Sequence, residues 1–144
     1  MRLSDLNYPV LRINERGVLT VKKARSLRLM PELFFKKGGV KAPVFILDAE
    51  CQRFDVVRID KVRRSWDLDY FFGPHKMFVV EYEIGEPSQL SFEAARQLVM
   101  ERIIHKRWYG QGGESREKFS KRFMNYRSMR EIIDSISGYG QVWY

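Results

Sequence analysis

The first two thirds of the chain alternate between apolar and polar residues with the period of two that is typical of β-strands. The clearest example is Met77–Ile84, in which every second residue from Phe78 onward is apolar or aromatic. Further strands are predicted at residues 10–13, 18–23, 43–47 and 54–62. The last of these needs a β-bulge near Val56 and Val57 to bring its apolar side chains to one face. Together they predict an antiparallel sheet of about four or five strands.

Beyond residue 86 the apolar period changes to that of amphipathic helices. The predicted helices cover residues 92–108, a segment that starts after Ser115, and a segment that runs from Met129 to Gly138. Each is preceded by a serine that can cap its first turn, and Ser128 with Glu131 has the spacing of a capping box. A short helix is also predicted at residues 31–37. Strands followed by helices predict a single α+β domain over residues 1–144, with two or three C-terminal helices on one face of the sheet.

The composition is that of one folded domain. A chain of 144 residues and 17.2 kDa fits a single domain, and 44% hydrophobic residues are enough for a core. The N-terminal residues lack the apolar run of a secretory signal, and no stretch approaches the ~18 apolar residues of a membrane span. The single cysteine, Cys51, excludes an internal disulfide and agrees with a reducing compartment. We therefore expect a cytoplasmic protein with no membrane partner.

The formal net charge of +8 is unevenly distributed along the chain. Residues 1–41 carry ten lysines and arginines against three acids, and residues 102–130 carry nine against two. Residues 42–101, between them, have an acidic excess. If the two basic segments share a face, that face could bind phosphates or an acidic protein. The alternative, which the sequence leaves open, is that they decorate separate solvated faces.

The sequence contains no pattern typical of catalysis, metal binding or cofactor binding. Cys51, His75 and His105 are too dispersed to predict a compact metal site. Cys51 lies in a predicted turn instead of at a helix N-terminus, which argues against an activated nucleophile. The glycine-rich loop at residues 110–113 follows a helix and not a strand, so it lacks the context of a phosphate-binding loop. We predict no catalytic residue, metal or cofactor, and whether His75 or His105 has a chemical role stays open.

Residues 63–75 are the most unusual stretch of the chain, because they concentrate aromatic and arginine side chains between two predicted strands. Trp, Tyr and Arg are the residue types that dominate the energetics of protein–protein interfaces. The predicted partner-binding residues are Arg63, Arg64, Trp66 and Tyr70. The alternative is that most of these rings belong to the core. The predicted function is that of a non-enzymatic protein that binds a protein partner, by analogy a regulatory or toxin-neutralising one.

A second interpretation is RNA or DNA binding by residues 102–127, where basic and aromatic residues interleave. Cations hold phosphates and aromatic rings stack on bases. The candidate residues for this anion- or nucleic-acid-binding site are Lys106, Arg107, Trp108, Arg116, Lys121 and Arg122. Against it, Phe119 and Phe123 have the spacing of core residues.

The C-terminal tail, residues 139–144, is too aromatic to be expected in solvent. We expect it to dock onto the domain or to add an edge strand, either to its own sheet or to that of a second copy. The oligomeric state, a homodimer included, is therefore left open.

Overall fold

The computed structural model describes residues 2–15, 17–36, 38–39, 43–65, 77–109, 113–136 and 139–140. Its strands are β1 (Val10–Ile13), β2 (Gly17–Val21), β3 (Leu29–Pro31), β4 (Phe45–Leu47), β5 (Gln52–Arg64), β6 (Met77–Ile84), β7 (Ser88–Gln89) and β8 (Tyr139–Gly140). Its helices are α1 (Glu32–Lys36), α2 (Phe92–His105), α3 (Arg116–Met124) and α4 (Met129–Ser135), with 3-10 turns at Leu3–Asp5 and Ala24–Leu27. Within these ranges, no helix has the length and apolar character needed to cross a membrane.

The predicted α+β fold is confirmed, with a curled antiparallel sheet that precedes the C-terminal helices. The strands lie in the order β3-β6-β5-β4-β1-β2-β8, and β7 pairs with the start of β5. Three short strands, β3, β7 and β8, raise the number above the prediction, because two or three residues are too few to show alternation. The strand β8 pairs with β2 of the same chain, so the start of the predicted tail adds a strand to its own sheet.

The helices α2, α3 and α4 cover one face of the sheet, as predicted. Their apolar stripes pack on side chains that β1, β2 and β4 direct to that face. The fully buried members of this core are Leu11, Ile13, Val18, Leu47, Ala95, Val99, Ile103, Phe119, Phe123, Ile132 and Ile133. The rings of Phe119 and Phe123 lie 5.2 Å apart at its centre. A hydrogen bond of 2.7 Å from the Thr20 hydroxyl to the Ile133 carbonyl ties α4 to β2.

The opposite face of the sheet is covered by the N-terminal turns, by Phe35 of α1 and by the curled β5–β6 pair. Its buried apolar members are Leu3, Leu6, Val10, Val21, Leu27, Met30, Ile46, Phe54, Val56, Ile59, Val80 and Ile84. This second core also contains polar groups. Arg12 is buried beside the phenol of Tyr82, whose pKa is raised by burial although the guanidinium acts against the shift. The hydroxyl of Tyr8 donates to the Leu3 carbonyl at 2.9 Å.

Serine caps start the three C-terminal helices where the sequence predicts them. The serine hydroxyls accept hydrogen bonds from backbone N–H groups three residues on, in the pairs Ser91–Ala94, Ser115–Lys118 and Ser128–Glu131. The helix α2 ends at His105 and not at the predicted residue 108. Arg107 adopts a left-handed φ of 57°, which returns Trp108 and Tyr109 to the helical core.

Replacement of Phe123 by alanine is expected to lower the free energy of unfolding by about 3–5 kcal/mol, because its ring is fully buried between α3 and the sheet. The neighbouring Met124 is 48% exposed, so Met124→Ala is the matched control, with an expected change below about 0.5 kcal/mol. Urea unfolding followed by circular dichroism measures both. Equal effects of the two variants would contradict the position of Phe123 in the core.

We expect the protein to lose stability at alkaline pH because of the buried phenol of Tyr8. Burial, the largest cause of the shift, raises the pKa of this group from the ordinary 10.0 to about 12. Stability is therefore unaffected below the unfolded pKa and falls as the pH rises from 10.0 towards 12, because the unfolded chain ionises more readily than the folded one. We expect Tyr8→Phe to lose less unfolding free energy over this interval than the wild type. An unchanged alkaline slope in denaturant titrations of the variant would count against this assignment.

Candidate functional site

The C-terminal part of β5 extends beyond the end of its pairing with β4. Residues 57–64, which we call the β5 arm, pair with β6 along one edge as far as Arg64. On the other edge β4 pairs with β5 only up to Asp55, after which the Val56 N–H donates to the Val44 carbonyl at 2.9 Å. Beyond this bond, no strand of the described ranges pairs with the arm on that side. Within those ranges, the arm therefore has an open edge, with backbone groups directed away from β6.

A tight turn sets the direction in which β5 leaves the core. Asp48 is fully buried, and its Oδ1 accepts hydrogen bonds of 2.9 Å from the N–H groups of both Glu50 and Gln52. Cys51 closes the turn in a left-handed conformation, with φ of 62°. A short polar side chain that bonds the backbone two residues on is a common device for such turns. Because Oδ1 accepts from two backbone N–H groups of the turn, these bonds fix the turn at the start of β5.

Two β-bulges re-aim the side chains of the arm. The β5–β6 register shifts once between Val56 and Arg58 and again between Lys61 and Arg63. The first shift confirms the predicted bulge and keeps Ile59 buried. As a result Val57 is 58% exposed and Val62 is 56% exposed. Bulges commonly turn side chains in this way near the end of a strand, and here they leave two β-branched residues in solvent.

The charges of the arm are separated along its length. Near the core, Arg58 donates from Nε to Oδ2 of Asp60 at 2.8 Å, and its Nη2 lies 3.4 Å from Oε2 of Glu83 on β6. Both acids are therefore compensated by one guanidinium. Towards the far end follow three cationic residues, Lys61, Arg63 and Arg64, with no acid among them. The far half of the arm is thus positively charged.

Lys61 extends over two aromatic rings beside the far half of the arm. Its Nζ lies 4.9 Å from the ring centroid of Phe78 and 5.2 Å from that of Phe35. These two rings meet edge to face, with their centroids 6.0 Å apart. A cation above an aromatic face is stabilised by the ring quadrupole, while the methylene stem covers apolar surface. The lysine charge therefore lies above these two rings, although the residue as a whole is exposed.

Of the predicted partner-binding residues, Arg63 and Arg64 lie at the far end of the arm. Arg63 is exposed and Arg64 is half-buried. The strand ends directly after them, where the Ser65 N–H donates to the Met77 carbonyl at 2.8 Å. Trp66, Tyr70 and His75 lie outside the described residues, so the aromatic half of the predicted site stays a prediction.

The predicted anion-binding residues of the helical segment fall on two different surfaces. Lys106 and Arg116 line a groove of 1190 Å³ between α2 and α3, together with His105. Glu15 and Glu101 line the same groove, so it is not uniformly basic. Lys121 and Arg122 line a separate depression of 470 Å³ on the outer side of α3, with Lys118, Asn125 and Tyr126. The helical geometry of α3 thus divides the cations that are neighbours in sequence.

Several of the helical candidates contribute to the fold. Arg122 forms a two-bonded pair with Glu114, from Nε at 3.0 Å and from Nη2 at 2.9 Å, and its Nη1 donates to the Tyr126 hydroxyl at 2.8 Å. Trp108 packs against the helical core, and Phe119 and Phe123 are fully buried. The rings best placed in sequence for base stacking are therefore largely occupied by the core.

The described part of the chain has no cluster of metal ligands, and its cysteine is not activated. In those ranges no group of three or more His, Cys, Asp and Glu side chains is close enough to hold a metal ion. Cys51 is buried, and burial, with a smaller contribution from Asp48, raises the pKa of its thiol. An activated cysteine nucleophile has the opposite shift. His105 lies on the groove between α2 and α3, apart from Cys51 in its turn.

Comparison with protein-family models, with curated proteins and with solved structures finds no match to this chain. Sequence reasoning missed Lys61, Val57 and Val62 as part of the exposed arm. The adjacent Val56 and Val57 signalled a bulge, but the position of the second bulge has no comparable signature.

Loss of the Arg122 side chain is expected to raise the pKa of Glu114. The hydrogen bond from Arg122 is the largest cause that lowers this pKa, and the guanidinium charge adds to it. In Arg122→Ala the pKa of Glu114 should return towards its ordinary value, whereas Lys121→Ala, which removes a neighbouring charge on α3, should leave it nearly unchanged. Carbon-detected NMR titration of the carboxyl group measures the two pKa values. Similar shifts in both variants would contradict a structural role of Arg122.

Proposed function

We propose that this protein is a non-enzymatic binding module that docks a protein partner on the β5 arm. The observation that carries the proposal is the open edge of the arm, which combines Lys61, Arg63 and Arg64 with the exposed Val57 and Val62. Arginine beside apolar surface is typical of residues that anchor protein interfaces. The arm also leads directly into residues 66–76, so the predicted anchors Trp66 and Tyr70 are continuous with it in sequence.

Nucleic-acid binding is the second candidate. It is favoured by the depression that gathers Lys118, Lys121 and Tyr126 on the outer side of α3. Against it stand the burial of Phe119 and Phe123, and the use of Arg122 in a pair with Glu114. Phosphate contacts alone would give affinity that falls steeply with salt and shows little sequence preference. We therefore rank it below the arm.

Reversal of charge on the arm is expected to abolish partner capture. The wild-type chain, Lys61→Glu/Arg63→Glu and Lys118→Glu/Lys121→Glu are immobilised and exposed to lysate, of which one half is treated with nuclease and the other is not. The arm variant should capture at least about tenfold less protein than the wild type. This corresponds to a loss of about 1.4 kcal/mol or more in binding free energy. The α3 variant is the matched control, since it carries the same change of charge on a different surface, and it should bind like the wild type.

The opposite pattern would overturn the proposal. If only the α3 variant loses the captured material, and this material disappears on nuclease treatment, nucleic-acid binding replaces protein binding as the proposed function. If the arm variant captures as much protein as the wild type, the arm is not the docking surface. Circular dichroism melting of both variants, compared with the wild type, separates these results from a loss of fold.

A further inference from the structure

We infer that the partner contributes an extended, acidic segment that pairs with the open edge of the β5 arm as an additional β-strand. The inference rests on the proposed function and specifies the chemistry of the partner. It follows from three properties of the arm: its open edge, the sign of its charge and the position of its exposed valines.

The open edge provides the main-chain bonds. Past the Val56–Val44 hydrogen bond, the described chain places no strand beside the arm, although β6 pairs along its other side up to Arg64. In a strand, backbone N–H and C=O groups alternate between the two edges, so the arm directs half of them away from β6. A strand edge of this kind is a template for an added strand. At ~3.3 Å per residue, the eight positions of the arm offer about 26 Å of edge.

The charge of the arm selects an acidic segment. Residues 57–64 contain four cations and one acid, and that acid, Asp60, is engaged by Arg58. The acidic residues of β6, Glu81 and Glu83, lie on the opposite side of β5 from the open edge. Charges of opposite sign on adjacent strands stabilise the pairing, whereas like charges destabilise it. An added strand with glutamate or aspartate would therefore be favoured over a neutral or basic one.

The same charges disfavour a second copy of this chain on the edge. Two arms paired with each other would bring eight cations and two acids into adjacent strands, twice the content of one arm. Cationic side chains on an edge strand are a common protection against such self-pairing. The exposed Val57 precedes the charged residues and the exposed Val62 lies between Lys61 and Arg63, and both offer apolar contacts to the incoming strand. The favoured partner sequence therefore alternates acidic and apolar residues.

A peptide probe with methylated backbone amides tests strand pairing directly. The probe is a fluorescein-labelled peptide of alternating Glu and Val, about eight residues long to match the arm. Two derivatives each carry two N-methyl groups near the centre. In one the methyl groups are on adjacent residues and block both edges of the peptide. In the other they are two residues apart, which leaves one complete edge able to pair.

Fluorescence anisotropy with the full-length protein should give clearly different affinities for the two derivatives. We expect the adjacent derivative to bind at least about tenfold more weakly than the parent peptide, and the spaced derivative to bind within about threefold of it. A Lys-Val peptide, and the Lys61→Glu/Arg63→Glu variant with the Glu-Val peptide, should both give at least a tenfold loss. Lys118→Glu/Lys121→Glu is again the matched control and should retain the affinity of the wild type.

Three results would overturn the inference. Equal binding of the two methylated derivatives would mean that charge alone is recognised. Absence of binding by the Glu-Val peptide, while the arm variant still loses its partner in the capture experiment, would leave the proposed function standing without strand pairing. Sedimentation of the protein alone as a dimer that Lys61→Glu/Arg63→Glu converts into a monomer would place a second copy on the edge.

Discussion

The fold depends on a sheet whose central strands are buried on both faces. All four residues of β1 and all three of β4 are buried, with successive side chains directed to opposite sides. A sheet of this kind is stable only if both faces are covered, because each exposed apolar side chain would forfeit roughly 1.5–3 kcal/mol. The C-terminal helices cover one face, and the N-terminal turns with the curled β5–β6 pair cover the other. The remaining structure is arranged around this requirement.

The strand β5 belongs to this covered sheet for only part of its length. Phe54, Val56 and Ile59 of this strand belong to the core, and beyond Ile59 its side chains are exposed or, at Arg64, half-buried. The two bulges make this change possible, because each shifts the alternation without ending the pairing with β6. One continuous strand therefore carries both the core contacts that anchor it and the arm that we propose as a docking surface.

The order of elements and most of the core could be predicted from the sequence. The alternation in Met77–Ile84, the apolar stripes of the helices and the three serine caps are local features, and local features are encoded by neighbouring residues. The short strands could not be predicted, since β3, β7 and β8 exist only because a longer partner lies beside them. The open edge of the arm is also non-local. It depends on where β4 stops pairing, and nothing in the sequence of β5 records the length of its neighbour.

A count of charges along the chain does not show which cations the fold brings together. Residues 102–130 have the larger local excess of cations, with nine against two acids. On a helix, however, residues five positions apart lie on different faces, and Arg116 and Lys121 accordingly line separate depressions. Residues 61–64 hold only three cations, but an extended strand keeps them within about 10 Å along a single edge. Because interactions between exposed charges are screened over a Debye length of about 8 Å at physiological salt, the spacing of cations in the fold matters more for a binding surface than their number along the chain.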